Sequence, residues 1–262
     1  MKISVFTLSV LCVSFSCATA AEPISITVVY NNVISNEDCT ASWGLSIYIQ
    51  GLTDTILFDT GGDGSILLSN MEALGVNPKS IETVVISHIH WDHIGGLAAL
   101  LENNNDVSVY LPSSFPDNII SSIDSTAQSV VLVSKPQKIC AQVWTTGELG
   151  TSMKEQSLVI VTEKGLIIIT GCAHPGIVNI VEFVKDYWQD DIYLVIGGFH
   201  LVVYNEHQVK EIINKLKALG VKRIAPSHCT GGRSIELLKE TWHEDFIDLG
   251  CGAKVSIGSN GE

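Results

Sequence analysis

His88-Ile89-His90-Trp91-Asp92-His93 places four potential metal ligands within six residues. They follow an apolar, β-branched run, Thr83–Ser87, and precede Gly95-Gly96 and a short helical segment, Leu97–Leu101. Side chains at the end of an extended strand repeat every two residues, so His88 and His90 point the same way. Asp92 and His93 then lie at the turn into the helix, where the chain changes direction. One short loop can therefore offer two groups of ligands to two neighbouring metals. The glycine pair lets the start of the helix lie close to that loop. Imidazoles with a carboxylate suit zinc, with manganese and iron as the other candidates. Two divalent ions held together would lower the pKa of a bound water from about 16 towards neutrality, and the hydroxide would attack carbon or phosphorus. The same ions would stabilise the oxyanion that develops. The expected activity is hydrolysis of a small-molecule ester, lactone, amide or phosphate ester.

Strands and helices alternate around this segment. Ile24–Tyr30, Leu45–Gln50, Thr55–Phe58, Val107–Leu111 and Val130–Val133 read as strands, bounded by polar or glycine breaks. Leu158–Thr162 and Leu166–Thr170 form an expected hairpin, turning at Glu163-Lys164-Gly165. Ile192–Ile196, Arg223–Ala225 and Val255–Ile257 complete the strands. Helical spacing predicts Ile66–Leu74, Ile177–Trp188 and His207–Leu219, the last with Val209, Ile212, Ile213, Leu216 and Leu219 on one stripe and Gly220 as its stop. Such a pattern predicts an α/β (α+β) sandwich of one domain.

The first twenty residues are set apart as a signal peptide: Lys2, the uncharged run Ile3–Phe15, then Ala18-Thr19-Ala20 before Ala21. A membrane anchor is the alternative, and Cys17 is a poor match to a lipidation site. The mature protein, residues 21–262, is then expected to be soluble and periplasmic or secreted, with no membrane partner after cleavage. The whole chain's 28 acidic against 15 basic residues argue against nucleic acid as a partner. Of seven cysteines two lie within the signal, leaving Cys39, Cys140, Cys172, Cys229 and Cys251, too few for a dense disulfide framework.

The HxHxDH pattern at 88–93 is the signature of the metallo-β-lactamase superfamily, and Phe58-Asp59-Thr60-Gly61 resembles that family's upstream element. Gly171-Cys172-Ala173-His174, Gly197-Gly198-Phe199-His200 and Ser227-His228-Cys229-Thr230-Gly231 are similar to motifs of the branch named after dihydropterin ribofuranosylaminobenzene phosphate synthase. Gly44-Leu45-Ser46 and Thr146-Gly147-Glu148 also fit it, and the resemblance runs from about residue 24 to 257. It implies a four-layer αββα sandwich with a catalytic site at one edge of the two sheets. It also implies His88, His90 and His174 for one metal, and Asp92, His93 and His228 for the other. Asp92 doubles as a catalytic group, and His200 would hold a substrate anion or donate a proton to a leaving group. Asp59 would brace the ligand loop, while His207 and His243 are expected as surface groups on helices.

Two positions depart from the pattern. Trp43 stands where the branch has a histidine, so substrate contacts should differ there. Cys172 stands where many members carry a bridging aspartate. Its thiolate could bind metal, or solvent alone could bridge; solvent is expected, because His174 already gives that strand end a ligand. Cys229 should point away from the site if its chain is extended. The branch name also admits a condensation or lyase step on a phosphorylated pterin, and a non-enzymatic metal-binding module is a third reading.

Overall fold

The computed structural model describes residues 23–258, so the proposed signal sequence lies outside the described residues. The first half of the chain builds one sheet and its helices. Strands β1 (Ile24–Tyr30), β2 (Ser46–Gln50) and β3 (Ile56–Phe58) lead to helix α1 (Gly64–Ala73) and to β4 (Thr83–Val85). A single helical turn, α2 (Trp91–Ile94), and α3 (Leu97–Asn103) follow, then β5 (Ser108–Pro112), α4 (Asp117–Asp124) and β6 (Ser129–Val133). The second half gives β7 (Gln137–Cys140), β8 (Val143–Thr145), β9 (Leu158–Thr162), β10 (Gly165–Thr170), α5 (Ile177–Trp188) and β11 (Ile192–Gly198). It closes with α6 (Glu206–Ala218), β12 (Arg223–Ser227), α7 (Gly232–Trp242) and β13 (Lys254–Ile257).

The seven-stranded sheet has the order β13-β1-β2-β3-β4-β5-β6, and the six-stranded sheet β12-β11-β10-β9-β8-β7. Isoleucine and valine fill both faces of their central strands, as parallel strands covered on both sides require. One core, including Ile26, Ile47, Phe58, Ile167, Ile169 and Ile196, lies between the sheets. A second seals α5, α6 and α7 onto the smaller sheet, and a third seals α1, α3 and α4 onto the larger. The expected αββα sandwich is the observed one.

Several boundaries move for local reasons. The strand expected over Thr83–Ser87 stops at Val85, because the Ser87 N–H is taken by the Asp59 carboxylate instead of a neighbouring strand. Helix α1 starts two residues earlier than its apolar pattern, where Asp63 accepts from the N–H groups of Ser65 and Ile66. Helix α6 starts at Glu206 because Asn205 and Gln208 form a reciprocal capping box, and Gly220 follows it in the left-handed region as expected. Helix α4 and strands β7 and β8 escape a periodicity reading, being short and partly exposed. Among the described residues no helix is long and apolar enough to cross a membrane.

Ile47, fully buried between the sheets, should cost about 2–5 kcal/mol of folding stability when replaced by alanine, read as a lower urea midpoint at unchanged slope.

Candidate metal centre

Strands β3, β4, β5 and β6 run parallel, as do β10, β11 and β12. Their carboxyl ends reach one edge of the sandwich, the usual place for a site in open α/β sheets. Asp59 follows β3, His88–His93 follow β4, Cys172 and His174 follow β10, His200 follows β11 and His228 follows β12. Asp59, Ala173, His200 and His228 all adopt left-handed backbone (φ 51–59°), which bends each strand end sharply into the edge. An L-residue pays about 1–2 kcal/mol for that conformation, so the strain is concentrated where the side chains converge. Gly171 and Gly96 permit the close approach: a Cβ on Gly171 would strike Ser87 Oγ, and one on Gly96 would strike the Thr60 carbonyl.

The ligand atoms of His88, His90 and His174 lie within 4.8 Å of one another, and so do those of Asp92, His93, His228 and Cys172. All six residues expected as metal ligands are thereby brought together in the expected groups. His200 sits beside them, its ring centroid 4.6 Å from that of His174. Trp43 is half-exposed against His228, with ring centroids 5.1 Å apart. Cys229 departs from expectation. His228–Thr230 form a 3-10 turn instead of extended chain, and Cys229 Sγ lies under the site, 3.6 Å from the Cys172 carbonyl. The five cysteines among the described residues are free thiols. His207 lies exposed on α6, as expected, but His243 lies beyond the end of α7 in a 3-10 turn. Glu148 ties the Ser114 N–H at 2.6 Å, away from the cluster.

Hydrogen bonds behind the rings decide which nitrogen faces inward. Asp59 Oδ2 receives the Ser87 hydroxyl at 2.7 Å and His93 Nδ1 at 2.6 Å. Because the Ser87 proton is given to Asp59, its oxygen accepts from His88 Nδ1 at 2.9 Å. His174 Nδ1 donates to Glu155 Oε2 at 2.8 Å, and His228 Nδ1 to Asn32 Oδ1 at 2.9 Å. Each of these four imidazoles therefore carries its hydrogen at Nδ1 and turns the Nε2 lone pair inward. There His228 Nε2 lies 3.2 Å from Asp92 Oδ2 and His93 Nε2 3.7 Å from it, while His88 Nε2 pairs with His90 Nδ1 at 3.1 Å and His93 Nε2 with Cys172 Sγ at 3.2 Å. His228 Nε2 is buried without a hydrogen-bond partner. Converging acceptors of this kind repel one another unless positive charge lies between them, so the donor set fits divalent cations.

Glu155, Ser87 and Asn32 were not singled out by sequence, although Ser87 adjoins the histidines. Glu155 is fully enclosed and receives the N–H groups of Cys172, Ala173 and His174 as well as the His174 ring. The cue for it is faint: a charged residue three positions before the apolar strand Leu158–Thr162. Burial acts to raise its carboxyl, but the nearby His88 ring and the hydrogen bonds from His174 hold it well below the usual carboxylate range. For Asp92 burial is likewise outweighed, by His228 and His93, and its carboxyl is lowered. Burial pushes Asp59 up to about 7, against the donors that favour its charge. Burial pushes His93 down to about 3 and His88 well below its ordinary value.

Glu155→Gln presents one acceptor oxygen to four donors, so stability should fall by about 1–3 kcal/mol and metal affinity by about 10–100-fold. Chemical denaturation and metal titration of the same variant measure the two effects. In metal-free protein His88 and His93 stay neutral in the fold, whereas their unfolded counterparts take protons as pH falls through about 6.5. Asp59 opposes them, holding a proton up to about 7 when folded and only to about 4 when unfolded. Two groups outweigh one, so the unfolded state binds more protons and this stability is lost as pH falls below about 6.5. Urea midpoints of chelator-treated protein at pH 7 and pH 5 should differ in that direction.

Residues 44–117 match the family model for the metallo-β-lactamase superfamily. The 7,8-dihydropterin-6-methyl-4-(β-D-ribofuranosyl)-aminobenzene-5′-phosphate synthase of Methanocaldococcus jannaschii is 33% identical over 258 residues, covering 80% of this chain and 88% of its own. Among solved structures, a metal-dependent hydrolase of the β-lactamase superfamily superposes with a TM-score of 0.76 at 25% identity, covering 90% of this chain and 99% of its own. The metallo-β-lactamase fold protein YhfI of Bacillus subtilis shares the fold alone, with a TM-score of 0.66 at 13% identity over 89% of this chain and all of its own. By sequence and by fold, the chain belongs to the metallo-β-lactamase superfamily, in the dihydropterin ribofuranosylaminobenzene phosphate synthase-like branch.

Proposed function

We propose that the protein is a metal-dependent hydrolase acting on an ester, lactone or phosphate ester, with His88, His90 and His174 holding one cation and Asp92, His93 and His228 the other. The observation that carries this reading is the convergence of outward-bonded imidazoles, their inward lone pairs facing one another and Asp92. When bound, two divalent cations supply Lewis acidity and bring the pKa of water towards neutrality; zinc is the expected metal. Asp92, whose carboxyl stays ionised, faces both ring nitrogens of its group and offers its charge to a cation held there. His200 has its pKa raised, mainly by the Cys229 sulfur beside it and against the effect of burial, and the rise favours its protonated form. Its place beside His174 lets it donate that proton to a leaving group.

A cleft of about 340 Å³ opens from His174 and His200 between α5 and α6, and Ile177, Phe199, Leu201 and Tyr204 give it an apolar wall. It offers room for a small-molecule substrate beside the centre. The similar solved hydrolase supports the hydrolytic reading. The similar synthase favours a second reading, a condensation or lyase step at the same centre.

Turnover of lactone, ester and phosphodiester substrates by zinc-loaded protein in ¹⁸O-water separates the two readings. Hydrolysis places label in the product, and a condensation does not. His88→Ala should abolish turnover while circular dichroism stays unchanged. His200→Ala should slow substrates with poor leaving groups by about 10²–10⁴-fold and leave activated aryl esters far less affected. Equal loss on both classes would rule out proton donation by His200.

A further inference from the structure

Resting on the hydrolase reading, we propose that the substrate is a carboxylic ester or lactone with a sizeable alkyl or aryl group, held on an apolar mouth that Trp43, Trp91 and Val202 form on the His228 side of the centre. Large hydrophobic side chains scattered singly over a surface need no explanation, whereas a group of them gathered at one opening does. Among the described residues nine are exposed, and five of these, Val33, Trp43, Trp91, Val202 and Val203, lie on segments that carry or touch the clustered histidines. Trp91 is 61% exposed and Trp43 48%, although their neighbours Asp92, His93 and His228 are buried.

Contacts link these side chains into one rim. The helical turn α2 buries Asp92 and His93 and leaves the Trp91 indole outside. A Cβ on Gly62 would strike both the Trp91 ring and the Trp43 carbonyl, so the bare backbone there lets the two tryptophan residues meet over one patch. The Trp43 ring is tilted 55° to that of His228, which makes it a wall beside the imidazole and not a lid stacked on it. Three residues beyond His228, a Cβ on Gly231 would press on Val202, and Val203 follows in the same 3-10 turn. Val33 adjoins Asn32, which bonds both the ring and the carbonyl of His228.

Indole rings offer large apolar area to a ligand. None of these positions can pair with a phosphate, and the formal charge of −13 opposes the approach of a dianion. Neutral carboxylic esters and lactones are therefore favoured over phosphate esters. The cleft between α5 and α6 opens on the His174 side and includes neither tryptophan. The centre thus lies between two apolar walls. With His200 in the cleft the leaving group belongs there, and the acyl group belongs against Trp43 and Trp91.

The test uses full-length zinc-loaded protein with Trp43→Ala, Trp91→Ala and, as a control, Leu132→Ala, an exposed side chain on the edge strand β6. On 4-nitrophenyl esters from acetyl to octanoyl, kcat/KM should rise about two- to fourfold for each added methylene. Each tryptophan variant should lose about tenfold on the octanoyl ester and less than about threefold on the acetyl ester, while Leu132→Ala keeps the wild-type slope. Calorimetry should show octanoate binding more tightly than acetate, with the preference lost in the tryptophan variants. No gain with chain length in turnover or in binding overturns the proposal. Tryptophan-dependent sedimentation with phosphatidylcholine vesicles, or a dimer that Trp91→Ala dissolves, also overturns it, since the occupant is then a lipid surface or a second copy. If one tryptophan variant fails to fold by circular dichroism, the wild-type series and the other variant decide. Octanoate preference without any turnover contradicts the hydrolase reading and supports the mouth, whereas turnover without chain-length preference contradicts only the mouth.

Discussion

Four histidines of this centre give their Nδ1–H to a partner behind them, and the arrangement of the site follows from that constraint. Once Ser87, Asp59, Glu155 and Asn32 accept those protons, the Nε2 lone pairs of His88, His93, His174 and His228 have no orientation left but inward. The partners also fix ring rotation, which matters because ligation depends on the direction of a lone pair as much as on distance. Asp59 has the widest reach of the four, since it joins the Ser87 backbone, the Ser87 hydroxyl and the His93 ring. Its carboxylate thus orients one member of each group: His93 directly and His88 through the serine. Glu155 does the same for the third strand end, holding three consecutive backbone N–H groups and one ring.

This network needs a scaffold that brings distant chain segments to one place, and parallel strands provide it. Because β3 and β4 in one sheet and β10, β11 and β12 in the other run parallel within each sheet, their ends deliver Asp59, His93, His174, His200 and His228 to the same edge. The dry core between the sheets keeps those ends in register. Backbone strain then appears at the edge, where left-handed residues turn each strand end towards the histidine cluster. The core stabilises the fold and the edge carries the strain, a division common at functional sites.

The candidate ligands at 88–93 were legible because four of them fall within six residues and their spacing is itself the geometry. The α/β sandwich was legible for a similar reason, since period and burial agree in strands such as β10 and β11, whereas its four-layer αββα order came through resemblance. His174 and His228 could be placed only through resemblance, since a lone histidine at a strand end carries no spacing. Glu155 and Asn32 were not legible at all. Glu155 reaches its partners 17–19 residues away, and Asn32 reaches His228 across 196, so no local pattern marks either. The direction of Cys229 was read only for an extended chain, and the left-handed backbone at His228, which cannot be inferred from its residue type, removes that condition. Trp43, found against His228, is where sequence pointed to altered substrate contacts, and the ring pair shows how the substitution reaches the site.

The central claim is that the inward lone pairs are arranged for two cations. Crystals of zinc-soaked protein, with data collected on both sides of the zinc absorption edge, address it most directly. The account predicts two anomalous peaks per chain, one among His88, His90 and His174 and one among Asp92, His93, His228 and Cys172. A well-ordered centre with no anomalous peak, its histidines paired through protons instead, would contradict it.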